Sequence, residues 1–179
     1  MAQTLNRFPL LGLWAKEAAR RVGYPEADAR ALGHAYAVLY AIRLRRLTTP
    51  KEGKPEREAP PKPAERRRGR EVTLGGDPLT VTGRRGQLQG LVGGEEPQTG
   101  ESYRKNVAAK FPPGYYARLE RGFRSLLATY DPAELREGVV YSVYDRWKRR
   151  CAVGRLVDLD RLLAWCERER RRRVSRRGS

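Results

Sequence analysis

The sequence predicts a mainly α-helical protein, with a helical hairpin, a C-terminal helical bundle and a small β-hairpin between them. Apolar residues recur at helical spacing in both halves of the chain, and two short β-prone segments flank a glycine-rich turn. Two further stretches are dominated by proline or arginine and carry too little apolar surface to fold alone. We therefore expect five segments: an N-terminal helical pair (8–47), a disordered, basic, proline-rich linker (48–70), a β-hairpin with a glycine-rich segment (71–100), C-terminal helices (101–167) and an arginine-rich tail (168–179).

The N-terminal segment predicts two helices joined by a turn of two or three residues. Leu11, Trp14 and Ala18 lie at helical spacing, and Gly23 is typical of the position just after a helix. Pro25 fits the first turn of a second helix, which runs to about residue 47. Small residues along the second helix permit another helix to approach closely: Gly33, Ala35, Ala37 and Ala41.

The middle of the chain predicts a disordered segment followed by a β-hairpin. Residues 48–70 contain five prolines among mostly charged residues, a composition typical of extended or disordered chain. Residues 71–74 and 79–82 are β-prone, and Gly75-Gly76-Asp77-Pro78 between them predicts the turn of a hairpin. The hairpin is expected to pack on the helices, because an isolated hairpin is only marginally stable. Residues 83–100 are rich in glycine and show no clear period.

The C-terminal segment predicts four helices. A short helix ends before Pro112, and a second continues to residue 130. The sequence Asp131-Pro132-Ala133-Glu134 combines an N-cap, a first-turn proline and a capping-box glutamate, and it predicts a third helix that continues to Cys151. The last helix begins near Asp158, and Glu–Arg pairs four residues apart can extend it into the arginine run. Removal of residues 168–179 is expected to change stability little, because only one apolar residue lies there.

Short patterns along residues 8–147 match a known type of protein. They are Trp14-Ala15, Val22-Gly23-Tyr24, Asp28-Ala29, Leu32-Gly33 with Ala35 and Ala37, Leu91-Val92-Gly93-Gly94, Lys110-Phe111 and the run from Tyr130 to Leu135. In these patterns the chain resembles a family of small bacterial proteins with a Trp-Ala helix, a Gly-Tyr turn, an alanine-rich helix and a Tyr-x-Pro-x-Glu-Leu helix start. The matching residues cap and pack helices, and the family has no known activity, so the resemblance implies no functional residues. The long linker and the arginine tail depart from the family pattern.

No residue pattern in the chain predicts catalysis, a metal site or a cofactor. His34 is the only histidine, and we expect it to be a packed or surface residue of the second helix. The spacing of Cys151 and Cys166 matches no zinc motif, so both are interpreted as small apolar residues. The Gly75-Gly76 and Gly93-Gly94 pairs lack the lysine or helix of a phosphate-binding loop and are interpreted as turns. We therefore predict a non-enzymatic protein without a cofactor.

The charge of the chain predicts a polyanionic partner. The sequence has 38 lysines and arginines against 21 acidic residues, which gives a net charge of +17. Arginine stays ionised and its planar group matches phosphate oxygens, while release of counterions from nucleic acid favours binding. We predict nucleic acid as the partner, DNA or RNA undecided, bound mostly at its phosphates and with weak sequence specificity. The candidate binding residues are Arg43, Arg45, Arg46, Arg66, Arg67, Arg68, Arg70, Lys148, Arg149, Arg150, Arg170, Arg171, Arg172, Arg173, Arg176 and Arg177.

Two alternatives remain open. The N-terminal helical pair could read DNA bases as a helix-turn-helix, although its second helix lacks the Asn, Gln and Arg side chains that base reading favours near the helix start. The protein could instead be a helical adaptor whose small-residue face docks another protein and whose basic segments serve solubility. An exposed patch at Ala35, Ala37 and Ala41 would favour the adaptor, whereas burial against residues 113–151 would favour a closed domain.

The sequence also predicts a cytoplasmic protein with no membrane partner. No apolar run approaches the roughly 18 residues that a membrane-spanning helix needs. The N-terminus lacks the charged region and apolar stretch of a signal peptide. The arginine tail lacks the bulky apolar face of a helix that lies on a membrane surface.

Overall fold

The structure, a computed structural model, describes residues 1–48, 69–92 and 97–178. Its helices are α1 (Arg7–Arg21), α2 (Glu26–Thr48), α3 (Gly100–Asn106), α4 (Tyr115–Leu127), α5 (Pro132–Arg136), α6 (Val139–Cys151) and α7 (Leu159–Arg177), with a 3-10 turn at Ala108–Lys110. Its strands are β1 (Thr4–Leu5), β2 (Arg70–Leu74), β3 (Asp77–Thr82), β4 (Gln89–Leu91), β5 (Ala152–Val153) and β6 (Leu156–Asp158). The fold is mainly α-helical with small antiparallel sheets, as the sequence predicts. None of the described helices is both long and apolar enough to cross a membrane.

Helix α1 lies at the centre of the core and is buried on every side. All of residues 9–19 are buried, including the charged Lys16 and Glu17. The helix packs against α2, α4 and α6. The indole Nε1 of Trp14 donates a hydrogen bond to the carbonyl of Val140 in α6 at 2.9 Å. The N-terminal helical pair is therefore part of one core with the C-terminal helices.

A tight turn joins α1 to α2 in the predicted hairpin. Gly23 follows the end of α1 as the sequence predicts. The guanidinium groups of Arg85 and Arg136 each donate a hydrogen bond of 3.1 Å to a carbonyl at this end of α1, where helix carbonyls lack partners within the helix. Along the hairpin the two helices approach closely at Gly33, where a Cβ would lie 2.6 Å from the carbonyl oxygen of Gly12. This close approach requires glycine on α2.

The small residues of α2 are covered by other parts of the fold. Ala35 and Ala37 are fully buried, and Ala41 is half-buried. Strand β4 and helix α3 pack on α2, and a Cβ added to Gly90 of β4 would lie only 2.4 Å from the Cβ of Ala35. The cover of Ala35 thus includes β4. Ala35 and Ala37 form no exposed apolar patch of the kind that would favour an adaptor.

Strands β2 and β3 form the predicted hairpin, with a shorter turn than the sequence indicates. Leu74 pairs with Asp77, so that only Gly75 and Gly76 lie in the turn. Both have positive φ angles, 64° and 81°, as a two-residue hairpin turn of this hand requires. A third strand, β4, pairs with β3 in the glycine-rich segment where the sequence shows no period.

The capping box predicted at residue 131 is present. The Asp131 side chain accepts a hydrogen bond from the amide of Ala133 at 2.8 Å, and the Glu134 side chain accepts one from the amide of Asp131 at 2.9 Å. Together these bonds satisfy amides that have no partner within the helix.

The prediction of one continuous helix from residue 131 to Cys151 is wrong. Helix α5 ends at Arg136, and α6 begins after Gly138, whose φ of +118° favours glycine. The amides of Gly75 and Gly76 donate hydrogen bonds of 3.0 and 2.8 Å to the last carbonyls of α5. Because the hairpin turn supplies these donors, the helix can end there without leaving its carbonyls unpaired.

Strands β1, β6 and β5 form a second small sheet that the sequence does not predict. Thr4 pairs with Asp158, which ties the start of the chain to the connection between α6 and α7. Strands β5 and β6 form a short hairpin within this connection. Asp158 then caps α7, as predicted, by accepting hydrogen bonds of 3.0 Å from the amides of Asp160 and Arg161.

Helix α7 continues through the arginine run to Arg177. The predicted boundary between the C-terminal helices (101–167) and the tail (168–179) therefore matches no end of secondary structure. Arg170 and Arg171 donate hydrogen bonds to Glu167 at 3.0 and 2.8 Å, the spacing that supports a helix from its surface. Because α7 packs on α4 and α6, its arginines lie on a helix that is fixed to the bundle.

Residues interpreted as packing residues are buried. Cys151 and Cys166 are buried free thiols. Burial raises the pKa of the Cys151 thiol to about 11. Since the thiolate is the reactive form, this thiol is unreactive at neutral pH, in line with the apolar interpretation.

Candidate nucleic-acid interface

A groove lined by arginines lies between α6 and α7. Its main cavity has a volume of about 800 Å³, and an adjoining cavity of about 170 Å³ shares Arg146, Glu169 and Arg172 with it. We call the combined surface the basic groove. It is lined by Arg146, Arg149, Arg150, Trp165, Arg168, Glu169, Arg172, Arg173, Arg176 and Arg177. Eight arginines and one carboxylate thus meet at one concave surface.

Helical geometry places these arginines together. Arg146, Arg149 and Arg150 are three and four residues apart and share one face of α6. Along α7, Arg168 and Arg172 are four residues apart, so that their positions repeat about every 6 Å. The part of α7 that lines the groove rises by about 18 Å, the length of about five phosphates of one strand in a DNA duplex.

Four of the eight groove arginines have no partner within the described residues. Within the described residues, no hydrogen bond or ion pair is made by the side chains of Arg150, Arg168, Arg176 and Arg177. Arg149 pairs with Asp145 at 2.9 Å, and Arg146 pairs with Glu169 at 3.4 Å. Arg172 also lies 3.9 Å from Glu169, and Arg173 lies 3.9 Å from Glu134. Three carboxylates cannot neutralise eight arginines, so the groove has an excess of positive charge, which attracts polyanions.

Arg173 lies in the adjoining cavity and is held against the fold. Its guanidinium carbon is 3.5 Å from the ring centroid of Tyr130, a close cation–π contact. It also donates hydrogen bonds to the hydroxyl and the carbonyl of Thr129 at 3.1 and 3.2 Å. Arg173 therefore fixes α7 against the end of α4, and its main role is structural.

Three predicted binding residues on α6 and α7 do not line the basic groove. Lys148 donates a hydrogen bond to Asp145 at 2.8 Å and lies over the ring of Tyr144. Arg170 and Arg171 both pair with Glu167, and their hydrogen bonds lower the pKa of its carboxyl to about 2. These cations are paired within the protein.

The candidates on α2 also lie outside the basic groove. Arg43 forms an ion pair with Asp77 at the start of β3, and Asp77 also accepts a hydrogen bond from the hydroxyl of Tyr36 at 3.0 Å. This arrangement fastens the β-hairpin to α2, so Arg43 has a structural role. Arg45 is exposed near the end of α2, and Arg46 follows it on the same helix.

The candidates near the linker divide into two sets. Arg70 is exposed at the start of β2 and lines a separate cleft of about 480 Å³ with Arg85 and Arg136. The remaining three lie outside the described residues: Arg66, Arg67 and Arg68.

Three residues that line the groove are not among the binding residues that the sequence predicts. Arg146 lies three residues before Arg149, and Arg168 lies four residues before Arg172, so helical spacing could have identified both. Trp165 also lines the groove, but it is only 9% exposed, so its ring is not available for stacking on a base. The meeting of α6 and α7 depends on the β5–β6 hairpin, which is too short to show a pattern in the sequence.

Helix α2 does not present the exposed N-terminal face that reading of DNA bases requires. Its residues 28–29 and 31–37 are buried. The fully buried carboxylate of Asp28 accepts hydrogen bonds from the amides of Gly86 and Leu88 at 2.6 and 2.9 Å. These bonds hold the loop before β4 against the start of α2, where a recognition helix would contact bases.

A second polar cluster is buried where α1, α2 and α4 meet. The ammonium of Lys16, which is fully buried, lies 3.1 Å from Glu17 and 3.0 Å from Glu26, and it donates a hydrogen bond to Glu120. It also donates to the hydroxyl of Tyr116 at 3.3 Å. The carboxylates have further partners at the rim of the cluster: Arg20, Arg30 and Arg124.

The electrostatics of this cluster favour a structural role. Burial lowers the pKa of Lys16, but the hydrogen bond with Glu120 and the charge of Glu17 outweigh burial and raise it above the ordinary value. Burial raises the pKa of Glu26, but Lys16 and nearby arginines outweigh this effect and lower it. A lysine that stays protonated is a poor nucleophile or base. The cluster therefore joins three helices through compensated charges.

The chemistry available at the basic groove is that of its guanidinium groups. Within the described parts of the chain, no three or more His, Cys, Asp or Glu side chains are grouped so as to hold a metal ion. The groove instead offers many N–H donors in planar, permanently charged groups. Such groups bind phosphate and carboxylate oxygens.

Comparison with known proteins shows no similar protein from which a function of the interface could be inferred. No model of a protein family matches the chain, and neither a curated protein nor a solved structure shows significant similarity to it. The resemblance to the small bacterial family therefore stays a prediction. The candidate interface rests on the arginines that α6 and α7 bring together.

Proposed function

We propose that the protein binds nucleic acid through the basic groove, mainly by phosphate contacts and with weak sequence specificity. The observation that carries this proposal is the alignment of eight arginines against one glutamate on a fixed concave surface. Four of these arginines have no partner within the described residues, so they can bind phosphate without first breaking an ion pair. The proposed role is non-enzymatic and fits the cytoplasmic location that the sequence predicts.

Weak sequence specificity follows from the kind of side chains in the groove. Arginine binds phosphate oxygens with two parallel hydrogen bonds, and each neutralised phosphate releases counterions. Base reading depends on side chains matched to particular base edges, and the described lining adds only Trp165 and Glu169 to the arginines. Since phosphate contacts do not separate DNA from RNA, both belong in the test.

Two matched variants test whether the groove, and not the net charge alone, binds nucleic acid. The groove variant replaces Arg150, Arg168 and Arg172 with glutamine. The control variant makes the same change at Arg84, Arg104 and Lys105, which are exposed elsewhere. Both variants lose three positive charges.

Fluorescence anisotropy with labelled duplex DNA, single-stranded DNA and RNA of one length gives the affinities at low salt. We expect the groove variant to bind on the order of 10- to 100-fold more weakly, and the control variant to lose less than about threefold. Equal losses in the two variants would mean that only net charge matters, and the proposed interface would be wrong.

A further inference from the structure

A cavity of about 860 Å³ lies between the start of α1, the middle of α2 and residues 97–110. Its volume falls in the range of small-molecule sites, roughly 300–1,000 Å³. None of its lining residues belongs to α6 or α7. The cavity is therefore separate from the basic groove, and an inference about it does not depend on the proposed nucleic-acid binding.

One part of the wall of this cavity is apolar and includes an aromatic ring. It includes Leu5, Phe8 and Val38, together with Pro9 and Pro97. The ring of Phe8 meets the ring of His34 edge to face, with 6.1 Å between the centroids and an angle of 87°. An aromatic corner of this kind favours a flat ring as ligand, since a third ring can stack on one or meet the edge of the other.

The charge of the cavity favours an anion. Among the described lining residues, Lys110 is the only lysine or arginine, and none is an aspartate or glutamate. The other polar side chains are amides and a hydroxyl, from Asn6, Gln98, Asn106 and Ser102. A ligand with one negative charge would gain the attraction of Lys110, whereas a cation would meet repulsion with no acidic partner among the described lining residues.

His34 contributes a neutral ring to the cavity. Its side chain lines the cavity, the residue is only 4% exposed, and its Nδ1 makes no hydrogen bond within the described residues. Burial lowers the pKa of His34 to about 4, so the imidazole carries no charge at neutral pH. Nδ1 itself is sealed from solvent, so a ligand in the cavity meets the face or edge of the imidazole ring and not this nitrogen.

We propose that this cavity is a binding site for a small aromatic or heteroaromatic molecule with one negative charge. The ring of the ligand lies against Phe8 and the apolar wall, and its anionic group pairs with Lys110. Polar atoms on the ring are matched by the cavity amides, and the imidazole ring of His34 packs beside the ring of the ligand.

The single histidine of the chain gives a direct readout, because the imidazole signals in an NMR spectrum belong to His34 alone. The probes are 2-naphthoate, 2-naphthamide and 2-naphthylmethylammonium, which share one ring system but are anionic, neutral and cationic. We expect 2-naphthoate to shift the His34 signals in a saturable way. The amide should bind about three- to tenfold more weakly, and the cation more weakly still. If no probe shifts the signals saturably, or if the cation binds as well as the anion, the proposal is wrong.

Two pairs of variants locate the probe. Lys110→Gln should reduce the affinity for 2-naphthoate to that for the amide, whereas Lys105→Gln, another exposed lysine outside the cavity lining, should leave it unchanged. Val38→Phe should block the cavity, whereas Val153→Phe at an exposed position should not. Full binding by Val38→Phe, or equal effects of the two lysine variants, would overturn the proposal. Since Lys110 is exposed, its result stands even if Val38→Phe unfolds the protein.

Discussion

At Lys16, carboxylates from three helices meet one buried ammonium group. Replacing this residue with methionine keeps an apolar chain of similar length but removes the charge that Glu17, Glu26 and Glu120 share. We expect the free energy of unfolding to fall by about 2–4 kcal/mol, less than for the largest buried-pair losses because Arg124 still pairs with Glu17.

Urea denaturation measures this loss, with Lys105→Met as the control. Lys105 is exposed, so its variant should stay within about 0.5 kcal/mol of the unchanged protein. A loss of less than about 1 kcal/mol for Lys16→Met would show that the buried cluster does not join the helices as described.

His34 is expected to make stability depend on pH. Its pKa in the fold is about 4, below the ordinary value of 6.5. Between these pH values the unfolded chain binds a proton that the folded protein does not, so the free energy of unfolding falls as pH falls from about 6.5 to about 4. The total change is about 3 kcal/mol.

The difference in the free energy of unfolding between the wild-type protein and His34→Phe isolates the effect of His34, because the carboxylates contribute equally to both proteins. Urea denaturation at a series of pH values should show that the wild-type protein loses stability relative to His34→Phe as the pH falls from 7 to 4, about the range set by the two pKa values. A difference that stays constant with pH would contradict the assignment of a neutral, buried imidazole.

At the scale of the element, two glycines should respond to substitution in opposite directions. Gly138 separates α5 from α6 with φ +118°, so Gly138→Ala should destabilise the protein by about 1–2 kcal/mol. Gly122 lies within α4, and a Cβ there would meet Leu163 and Cys166 at 3.6 and 3.9 Å, which are ordinary contacts. Gly122→Ala should therefore stabilise the protein by about 0.5–1 kcal/mol. Thermal unfolding of both variants tests this, and shifts of the same sign would contradict it.

The end of α7 is expected to contain one structural arginine among several exposed ones. Arg173→Ala should lower the free energy of unfolding by about 1–3 kcal/mol, because it removes the contact with Tyr130 and the hydrogen bonds to Thr129. Arg177→Ala, at an exposed position without such contacts, should change it little.

Truncation separates the same two roles. Deletion of residues 174–179 should leave stability nearly unchanged, whereas deletion of 168–179 should cost at least as much as Arg173→Ala. This revises the expectation from the sequence, which treats the whole run as external to the fold. Equal melting temperatures for the two truncated proteins would restore the earlier expectation.

Elements with local signals could be predicted from the sequence, and those fixed by distant contacts could not. The capping box at Asp131 and the N-cap at Asp158 are visible in the residues themselves. The end of α5 is not, because its carbonyls are bonded by Gly75 and Gly76 from a turn far away in sequence. The second sheet is also hidden, because strands of two or three residues carry no detectable alternation.

For the whole molecule, the basic character of the candidate interface could be predicted from the sequence, but the residues that line it could not. Composition points to arginine-rich segments, yet Arg43 and Arg173 are engaged in structural contacts. Arg146 and Arg168 enter the groove because α6 and α7 pack against each other. That packing is tertiary structure, which the sequence does not show. The sequence therefore predicts the type of the candidate interface better than it predicts the residues that form it.

The fold explains why arginines on a C-terminal helix can act as one surface. Helix α7 packs on α4 and α6, while β6 joins its N-terminal end to the start of the chain. Arg173 holds its C-terminal half against the end of α4. The charges along α7 are therefore positioned before a ligand arrives, which reduces the entropy that binding would otherwise lose.

Binding through the basic groove predicts how the affinity for duplex DNA depends on salt. The affinities of the wild-type protein, the groove variant (Arg150, Arg168 and Arg172 to Gln) and the control variant (Arg84, Arg104 and Lys105 to Gln) are compared over a range of salt concentrations. Each lost phosphate contact reduces the slope of log affinity against log salt by about 0.9, so the slope of the groove variant should be flatter by about 2–3. The control variant should keep the wild-type slope. An unchanged slope for the groove variant, or equal flattening in both variants, would contradict binding through the basic groove.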